Sequence, residues 1–205
     1  MKSRKTTDKA NLVEKIYLSR KDLVQTEKII VRNEHLRRYA AIRRFCYGKT
    51  LDMACGCGYG SFLLAVNPDV SGVTAVDCDR EAIEWATREF KHPKINYLEK
   101  KTSTIKGNFD TLVCLETIEH LKDRNTIPDL VKRCSINNII ISFPDKKSTH
   151  FNPFHFHDFV RQEIIDIFPQ HLPYHTLRFV DCESVLLMRI PKNAPAHIFR
   201  NLRDL

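Results

Sequence analysis

The residues with the clearest chemical meaning form a short glycine cluster at residues 51–60. The whole chain has six glycines, and three of them stand here at alternate positions: Gly56, Gly58 and Gly60. Because glycine is costly to order, such a cluster predicts a turn that a side chain would obstruct. Asp52 precedes the cluster, and Asp77 follows Gly60 by 17 residues (77 − 60). Two acids flanking a glycine turn indicate a nucleoside-binding βαβ unit.

The spacing and charge of this turn distinguish between possible nucleosides. A dinucleotide site favours Gly-x-Gly-x-x-Gly, which directs helix amides at a pyrophosphate, but here the third glycine comes one residue early and Ser61 follows it. A carboxylate at Asp52 would repel a diphosphate and suits a ligand that carries an ammonium and a sulfonium. Asp77 can accept hydrogen bonds from both ribose hydroxyls. These residues favour a phosphate-free nucleoside such as S-adenosylmethionine as the cofactor.

A second polar cluster, from Glu116 to His120, also contains Glu119. On one helix, Glu116 and His120 would face the same way, and His155 or His157 would supply a later metal ligand. We predict no metal here. Instead, His120 or His155 is predicted to be a general base within hydrogen-bond reach of the acceptor's proton. The alternative is structural, with His120 capping a helix and His155 fastening a loop.

Alternating strands and helices must position these residues. Strands are predicted over residues 50–54, 72–76, 95–98, 109–115 and 138–143, and a closing hairpin over 174–180 and 185–190. Helices are predicted over residues 61–66, 127–134 and 161–168, and after an Asp79 cap. This alternation predicts an α/β fold with a doubly wound sheet and an antiparallel pair at its end.

The chain length fits one main domain. Residues 48–190 are predicted to form this core. Residues 1–47 are predicted to be a tail followed by a helical cap over the cofactor site, and residues 191–205 a C-terminal tail. Residues 145–158 show no clear period and contain three histidines, which predicts a functional or covering loop.

Composition indicates the compartment and the possible partners. No run approaches the roughly 18 apolar residues of a membrane helix, and the polar N-terminus has no apolar signal core. The seven cysteines are an odd number and mostly lie in apolar runs. We therefore predict a cytoplasmic protein with free thiols and no membrane partner. The net charge of +8 permits a nucleic acid, but the basic residues are scattered and favour a solvated helix face.

Four stretches of the sequence together resemble a class I S-adenosylmethionine-dependent methyltransferase, of the broad bacterial and phage group with the ubiquinone/menaquinone-biosynthesis type of core. They are residues 51–60, 75–79, 109–121, and 140–144 with 152–155. Residues 35–39 also resemble the helix that covers the cofactor in this group. The resemblance implies a Rossmann-like seven-stranded sheet, mostly parallel, with an antiparallel C-terminal strand. The cofactor would lie across the carboxyl ends of the strands.

The resemblance also implies roles for individual positions. The methionine end of the cofactor would be lined by Asp52, Ala54, Gly56 and Gly58. Asp77 would hold the ribose, and Glu116 would lie beside the reactive centre. Two positions depart from the family pattern: Ala54 replaces the usual first glycine, and residues 100–103, where an acid would contact adenine, contain none. Adenine would then depend on backbone groups, Thr102 or Ser103.

The predicted function is transfer of a methyl group from S-adenosylmethionine to an oxygen or nitrogen of a small or macromolecular acceptor. The sequence does not identify that acceptor, and a nucleic acid is among the classes it allows. Two other functions stay open. One is a nucleoside-binding module of the same fold without activity, since fold does not fix function. The other, which Asp52 and Ser61 oppose, is a nicotinamide-dependent oxidoreductase.

Overall fold

The computed structural model describes residues 19–20, 34–144, 146–147, 149, 152–179 and 183–189. The two predicted tails, most of the predicted helical residues before position 34, and the loop residue His150 lie outside these residues. All predicted site residues lie within them.

The described chain alternates between strands and helices, as the sequence pattern predicts. The strands are β1 (Gly48–Met53), β2 (Val70–Asp77), β3 (Ile95–Glu99), β4 (Thr111–Cys114), β5 (Asn138–Pro144), β6 (Leu172–Arg178) and β7 (Glu183–Arg189). The α-helices are α1 (Glu34–Ile42), α2 (Tyr59–Ala65), α3 (Arg80–Glu89), α4 (Thr126–Arg133) and α5 (Arg161–Asp166). Short 3-10 turns lie at Arg43–Phe45, Thr102–Thr104 and Ile118–His120.

The seven strands form one sheet in the order β3-β2-β1-β4-β5-β7-β6. Neighbours from β3 to β5 pair in parallel, whereas β7 runs antiparallel to both β5 and β6. This confirms the predicted seven-stranded, mostly parallel sheet with an antiparallel C-terminal strand. The strand order reverses between β1 and β4, and such a reversal opens a crevice at the carboxyl ends of the strands.

Burial on both faces explains why the central strands are almost wholly apolar. Successive residues of β4 point to opposite sides: Leu112 and Cys114 join one core cluster, and Val113 joins the other. Helices α1, α2 and α3 contribute to the cluster that contains Val113, and α4 and α5 to the other. The sheet is thus a rigid layer between two apolar cores, with its polar groups at the strand ends.

Element boundaries differ from the predicted ones by a few residues. Helix α2 begins at Tyr59, two residues before Ser61, and β4 is shorter than the predicted residues 109–115. The backbone of Glu116 is left-handed, with φ 46°, so the strand cannot continue through it. The predicted Asp79 cap is confirmed, because its carboxylate accepts a hydrogen bond from the Ala82 amide at 3.1 Å. No helix among the described residues has the length and apolarity needed to cross a membrane.

Candidate active site

The glycine turn after β1 forms an open cradle. Gly56 and Gly58 both have positive φ, 52° and 84°, which glycine adopts without strain. A Cβ added at Gly56 would meet no atom within 4 Å, whereas one at Gly58 would collide with Ala86 and Tyr97. The two glycines are therefore needed for different reasons. Gly58 lets the turn pack on the protein, and Gly56 keeps space free at the crevice.

Asp77 lies at the edge of this space, at the end of β2. Its Oδ2 accepts a hydrogen bond from the Gly56 amide at 2.9 Å, and its Oδ1 accepts one from the Asp79 amide at 2.9 Å. Two main-chain amides thus fix the carboxylate beside the cradle, and 9% of the residue stays exposed. Each carboxylate oxygen retains a lone pair for a further donor. The structure therefore brings together the two residues predicted to contact the ribose and the methionine end.

Asp52 lies beneath the glycine turn, and its side chain does not reach the protein surface. Its side chain is fully buried, and it accepts hydrogen bonds from the Tyr39 hydroxyl at 2.9 Å and the Ser61 hydroxyl at 2.6 Å. Burial raises the pKa of Asp52 to about 7, although these two hydrogen bonds oppose the shift. The predicted contact with a cationic ligand stays a prediction. In this structure Asp52 connects α1 and α2 beneath the glycine turn.

Helix α1 covers the turn through one aromatic ring. A Cβ added at Gly60 would collide with the ring of Tyr39, so this glycine is needed for close packing. The Tyr39 ring also meets Tyr59 edge-on, with ring centroids 5.9 Å apart. Ala54, which stands at the usual first glycine of the motif, has a left-handed backbone with φ 56°. The chain therefore keeps the turn's geometry at this position at a cost in strain.

Glu116 follows β4 on the other side of the strand reversal. Its amide donates to the Ser142 hydroxyl at 2.9 Å, and that hydroxyl donates to Glu116 Oε1 at 2.5 Å. A non-glycine residue keeps a left-handed backbone only where surrounding contacts stabilise it. At Glu116 the two hydrogen bonds with Ser142 of β5 provide this stabilisation. Ser142 is a site residue that was not predicted from the sequence. The feature of the sequence that could have identified it is a single hydroxyl residue within the apolar residues 139–143.

Glu116 and His120 do not lie on one helix, which was the condition for their facing the same way. Glu116 precedes a single 3-10 turn, Ile118–His120, because its left-handed backbone prevents a helix from starting there. The turn instead brings Glu119 and His120 to His155, with one ligand atom of each within 4.8 Å of the others. The imidazole rings of His120 and His155 meet edge-on, with their centroids 4.5 Å apart.

Glu119 is the most enclosed member of this cluster. Only 1% of it is exposed, and neither carboxylate oxygen has a hydrogen-bond partner among the described residues. Its Oε1 lies 3.9 Å from Nε2 of His120. Burial, followed by the nearby negative charge of Glu116, raises the pKa of Glu119 well above its usual range, whereas the residue's own main-chain N–H and then the positive charge of Arg38 oppose the shift.

Three hydrogen bonds attach the loop after β5 to the segment after β4, and each uses a main-chain carbonyl as acceptor. The Phe156 amide donates to the carbonyl of Glu119 at 2.8 Å. His120 Nδ1 lies 3.1 Å from the Phe154 carbonyl, and His157 Nε2 lies 3.1 Å from the Lys122 carbonyl. A carbonyl can only accept, so both ring nitrogens carry the proton in these bonds. The described part of the predicted covering loop therefore closes over the crevice at Glu119 and His120.

The region predicted to hold adenine is the 3-10 turn Thr102–Thr104. The Arg133 guanidinium donates to the carbonyls of Thr102 at 3.0 Å and Ile105 at 3.1 Å. Thr102 Oγ1 lies 3.8 Å from the sulfur of Met53, at the carboxyl end of β1. The turn therefore lies beside the glycine cradle and is held by α4, a tertiary contact that sequence periodicity does not reveal.

Similarities to known proteins agree with this geometry. Residues 51–138 match the family model described as "Methyltransferase domain". Over 91 residues the chain is 36% identical to the ubiquinone biosynthesis O-methyltransferase of Rickettsia canadensis (strain McKiel). That match covers 42% of this chain and 39% of the relative, so the chain spans about two fifths of the relative's length.

Two solved structures share the fold. N-methyltransferase NodS from Bradyrhizobium japonicum WM9, in complex with S-adenosyl-L-homocysteine, has a TM-score of 0.62 at 18% identity, over 83% of this chain and 91% of that one. Magnesium protoporphyrin IX methyltransferase from Synechocystis PCC 6803, with bound S-adenosylmethionine, has a TM-score of 0.59 at 17% identity, over 83% and 82%. These two structures show that the chain has the same fold. The match over residues 51–138 shows that this part of the chain is similar to a methyltransferase domain, in agreement with the resemblance seen in the sequence.

Proposed function

We propose that this protein uses S-adenosylmethionine to methylate an oxygen or nitrogen of its acceptor. The observation that carries the proposal is the open space at Gly56, which adjoins the fixed carboxylate of Asp77. Ligands of open α/β sheets bind at this place, outside the carboxyl ends of the strands. The cradle also lies within the residues that match a methyltransferase domain.

The residues around the cradle fit this cofactor. Asp77 would accept hydrogen bonds from the ribose hydroxyls, since its position is already set by the Gly56 and Asp79 amides. The main chain of the Thr102–Thr104 turn would border adenine, with Arg133 keeping that turn in place. Helix α1 would form part of the predicted cap, because Tyr39 connects it to Asp52 beneath the turn.

The bound cofactor would supply a methyl group whose bond to sulfur breaks as the acceptor atom bonds to carbon, with the electron pair left on sulfur and the acceptor's proton released. The protein's main contribution would be positioning, which lowers such a barrier by about 7 to 11 kcal/mol in good cases. His120 and His155 are the predicted general bases. The Nδ1–H of His120 bonds the Phe154 carbonyl, which leaves Nε2 as its unprotonated nitrogen.

We also propose a reducing, cytoplasmic location. The described cysteines are free thiols: Cys46, Cys55, Cys57, Cys78, Cys114 and Cys134. Free thiols without disulfides are typical of reducing compartments.

Calorimetric titration of the purified chain with S-adenosylhomocysteine tests the cofactor assignment. Asp77→Asn should weaken binding by about tenfold or more, because the amide offers one acceptor oxygen where the carboxylate offers two and places an NH2 donor in the other position. The matched control is Asp166→Asn, which removes an exposed acid on α5 and should leave affinity unchanged. Equal affinity for S-adenosylhomocysteine in the two variants would show that Asp77 does not contact the cofactor. If the chain bound NADH more tightly than S-adenosylhomocysteine, the cofactor would be a nicotinamide dinucleotide instead.

A binding module without methyl transfer is the second candidate function. The observation in its favour is the turn beside the cradle, where the residues from Lys100 to Thr104 include no acid to recognise adenine. Transfer from radiolabelled cofactor to quinol, sugar, nucleobase and RNA acceptors separates the two functions. Cofactor binding with no transfer to any of these classes would favour the module.

A further inference from the structure

The cluster of Glu119, His120 and His155 has the composition of a metal site. Two imidazole nitrogens and one carboxylate are a common ligand set for divalent transition-metal ions. One ligand atom from each residue lies within 4.8 Å of the other two. Around an ion with bonds of about 2.1 Å, ligand atoms lie roughly 3.4 Å apart, so each pair of ligand atoms would need to approach by at most about 1.4 Å.

The state of Glu119 is an independent reason to expect a cation. Its side chain is 1% exposed, and both carboxylate oxygens lack hydrogen-bond partners among the residues that the structure describes. A buried carboxylate without hydrogen bonds is costly unless a charge pairs with it or a metal binds it. Its Oε1 already lies 3.9 Å from His120 Nε2, so the carboxylate faces the two imidazoles.

The orientation of His120 supports the same interpretation. Metal-binding histidines usually donate their other ring N–H to a carbonyl or carboxylate, which fixes both the tautomer and the ring direction. Here Nδ1 is 3.1 Å from the Phe154 carbonyl, so Nε2 is the unprotonated nitrogen and is directed at Glu119. The Phe156 amide bonds the Glu119 carbonyl at 2.8 Å and holds the loop that carries His155 against the same turn.

We propose that Glu119, His120 and His155 bind one divalent transition-metal ion. Three protein ligands leave at least one position for water or substrate, as in catalytic metal sites. Glu116 is not one of these ligands, because Ser142 holds its carboxylate. A hydroxyl group of the methyl acceptor would bind the metal at the open position, which would lower the pKa of that hydroxyl. This site therefore favours methylation of oxygen over methylation of nitrogen. This role rests on the proposed methyltransferase function. It replaces the sequence-based prediction of no metal, and it makes both His120 and His155 ligands instead of general bases.

Titration of the chelator-treated full-length chain with Co²⁺ tests the site directly, because cobalt bound to nitrogen and oxygen ligands absorbs visible light. Calorimetry with Zn²⁺ and Mn²⁺ gives affinity and stoichiometry. We expect one ion per chain, and about a hundredfold weaker binding in Glu119→Gln and in His155→Ala. The matched control is His157→Ala, which weakens the attachment of the same loop at Lys122 without removing a ligand. Its metal affinity should stay within about twofold of the unchanged chain.

The outcomes separate this proposal from the cofactor assignment. Absence of stoichiometric binding of all three ions, or equal loss of affinity in His155→Ala and His157→Ala, would overturn the metal site. Binding of S-adenosylhomocysteine is measured on the same samples. Metal binding without cofactor binding would support the site and contradict the proposed function. Cofactor binding without metal binding would leave that function in place and remove the metal site.

Discussion

Ala54 and Glu116 hold backbone conformations that residues with a Cβ usually avoid. Their φ angles are 56° and 46°, and they end the two central strands on either side of the strand reversal. Each left-handed residue costs about 1 to 2 kcal/mol. At Glu116 the strain accompanies two hydrogen bonds with Ser142. Strain of this kind clusters at functional sites, and here it occurs where the crevice opens.

The strain at Ala54 is open to a direct test. Ala54→Gly should raise the free energy of unfolding by about 0.5 to 1 kcal/mol, because glycine relieves the left-handed conformation but costs entropy when it folds. Urea denaturation measures this change. The matched control, Ala40→Gly in helix α1, should lower stability by about 1 kcal/mol. Loss of stability in both variants would mean that the Ala54 backbone is not strained.

At the scale of elements, the glycine turn connects β1, α2 and the Tyr39 face of α1. Gly56 borders open space, whereas Gly60 touches the Tyr39 ring. An added methyl group should therefore affect ligand binding at Gly56 but not at Gly60, although it should lower stability at both positions.

Gly56→Ala and Gly60→Ala should each lower the free energy of unfolding by about 1 to 3 kcal/mol, through backbone strain in the first and crowding in the second. Only Gly56→Ala should also lose about tenfold or more in affinity for S-adenosylhomocysteine, since its methyl group enters the cradle. Thermal unfolding and calorimetry measure the two quantities. Unchanged cofactor affinity in Gly56→Ala would show that the cradle does not hold the ligand.

Much of this arrangement was predictable because it depends on local patterns. Apolar runs and the glycine turn located the strands, and Asp77 at the end of β2 followed from them. The enclosure of Asp52 by Tyr39 and Ser61 was not predictable, because the Tyr39 contact depends on how α1 packs. The left-handed Glu116 has no local signal either, since glutamate rarely adopts that conformation. This residue is followed by the 3-10 turn that brings Glu119 to His155, a contact that sequence spacing alone does not indicate.

For the molecule as a whole, Asp52 makes stability depend on pH. Its pKa is about 7 in the folded protein and its usual value is 3.8. Between these values the folded protein keeps a proton that the unfolded chain has released. Stability from this group is therefore present below about pH 4 and is lost as the pH rises to 7. The shift corresponds to a contribution on the order of 4 kcal/mol.

Asp52→Asn should remove this dependence. The amide cannot ionise and can still contact Tyr39 and Ser61, so the variant should be close to the unchanged chain at pH 4 and more stable than it at pH 8. Chemical denaturation across this range, without ligand, measures the difference. The exposed Asp166→Asn variant serves as the comparison. A stability difference for Asp52→Asn that stays constant with pH would show that the buried carboxylate is ionised throughout.

Within the loop after β5, the Phe156 amide donates to the Glu119 carbonyl and the Phe154 carbonyl accepts from His120, so both of these attachments use the loop's main chain. Contacts of this kind survive when a side chain is replaced, because every residue except proline has the same amide. The aromatic residues of the loop can therefore diverge in evolution without detaching it from the turn. Under the proposed function, substitutions in this loop would change the acceptor side of the crevice and leave the cradle at Gly56 and Asp77 unchanged.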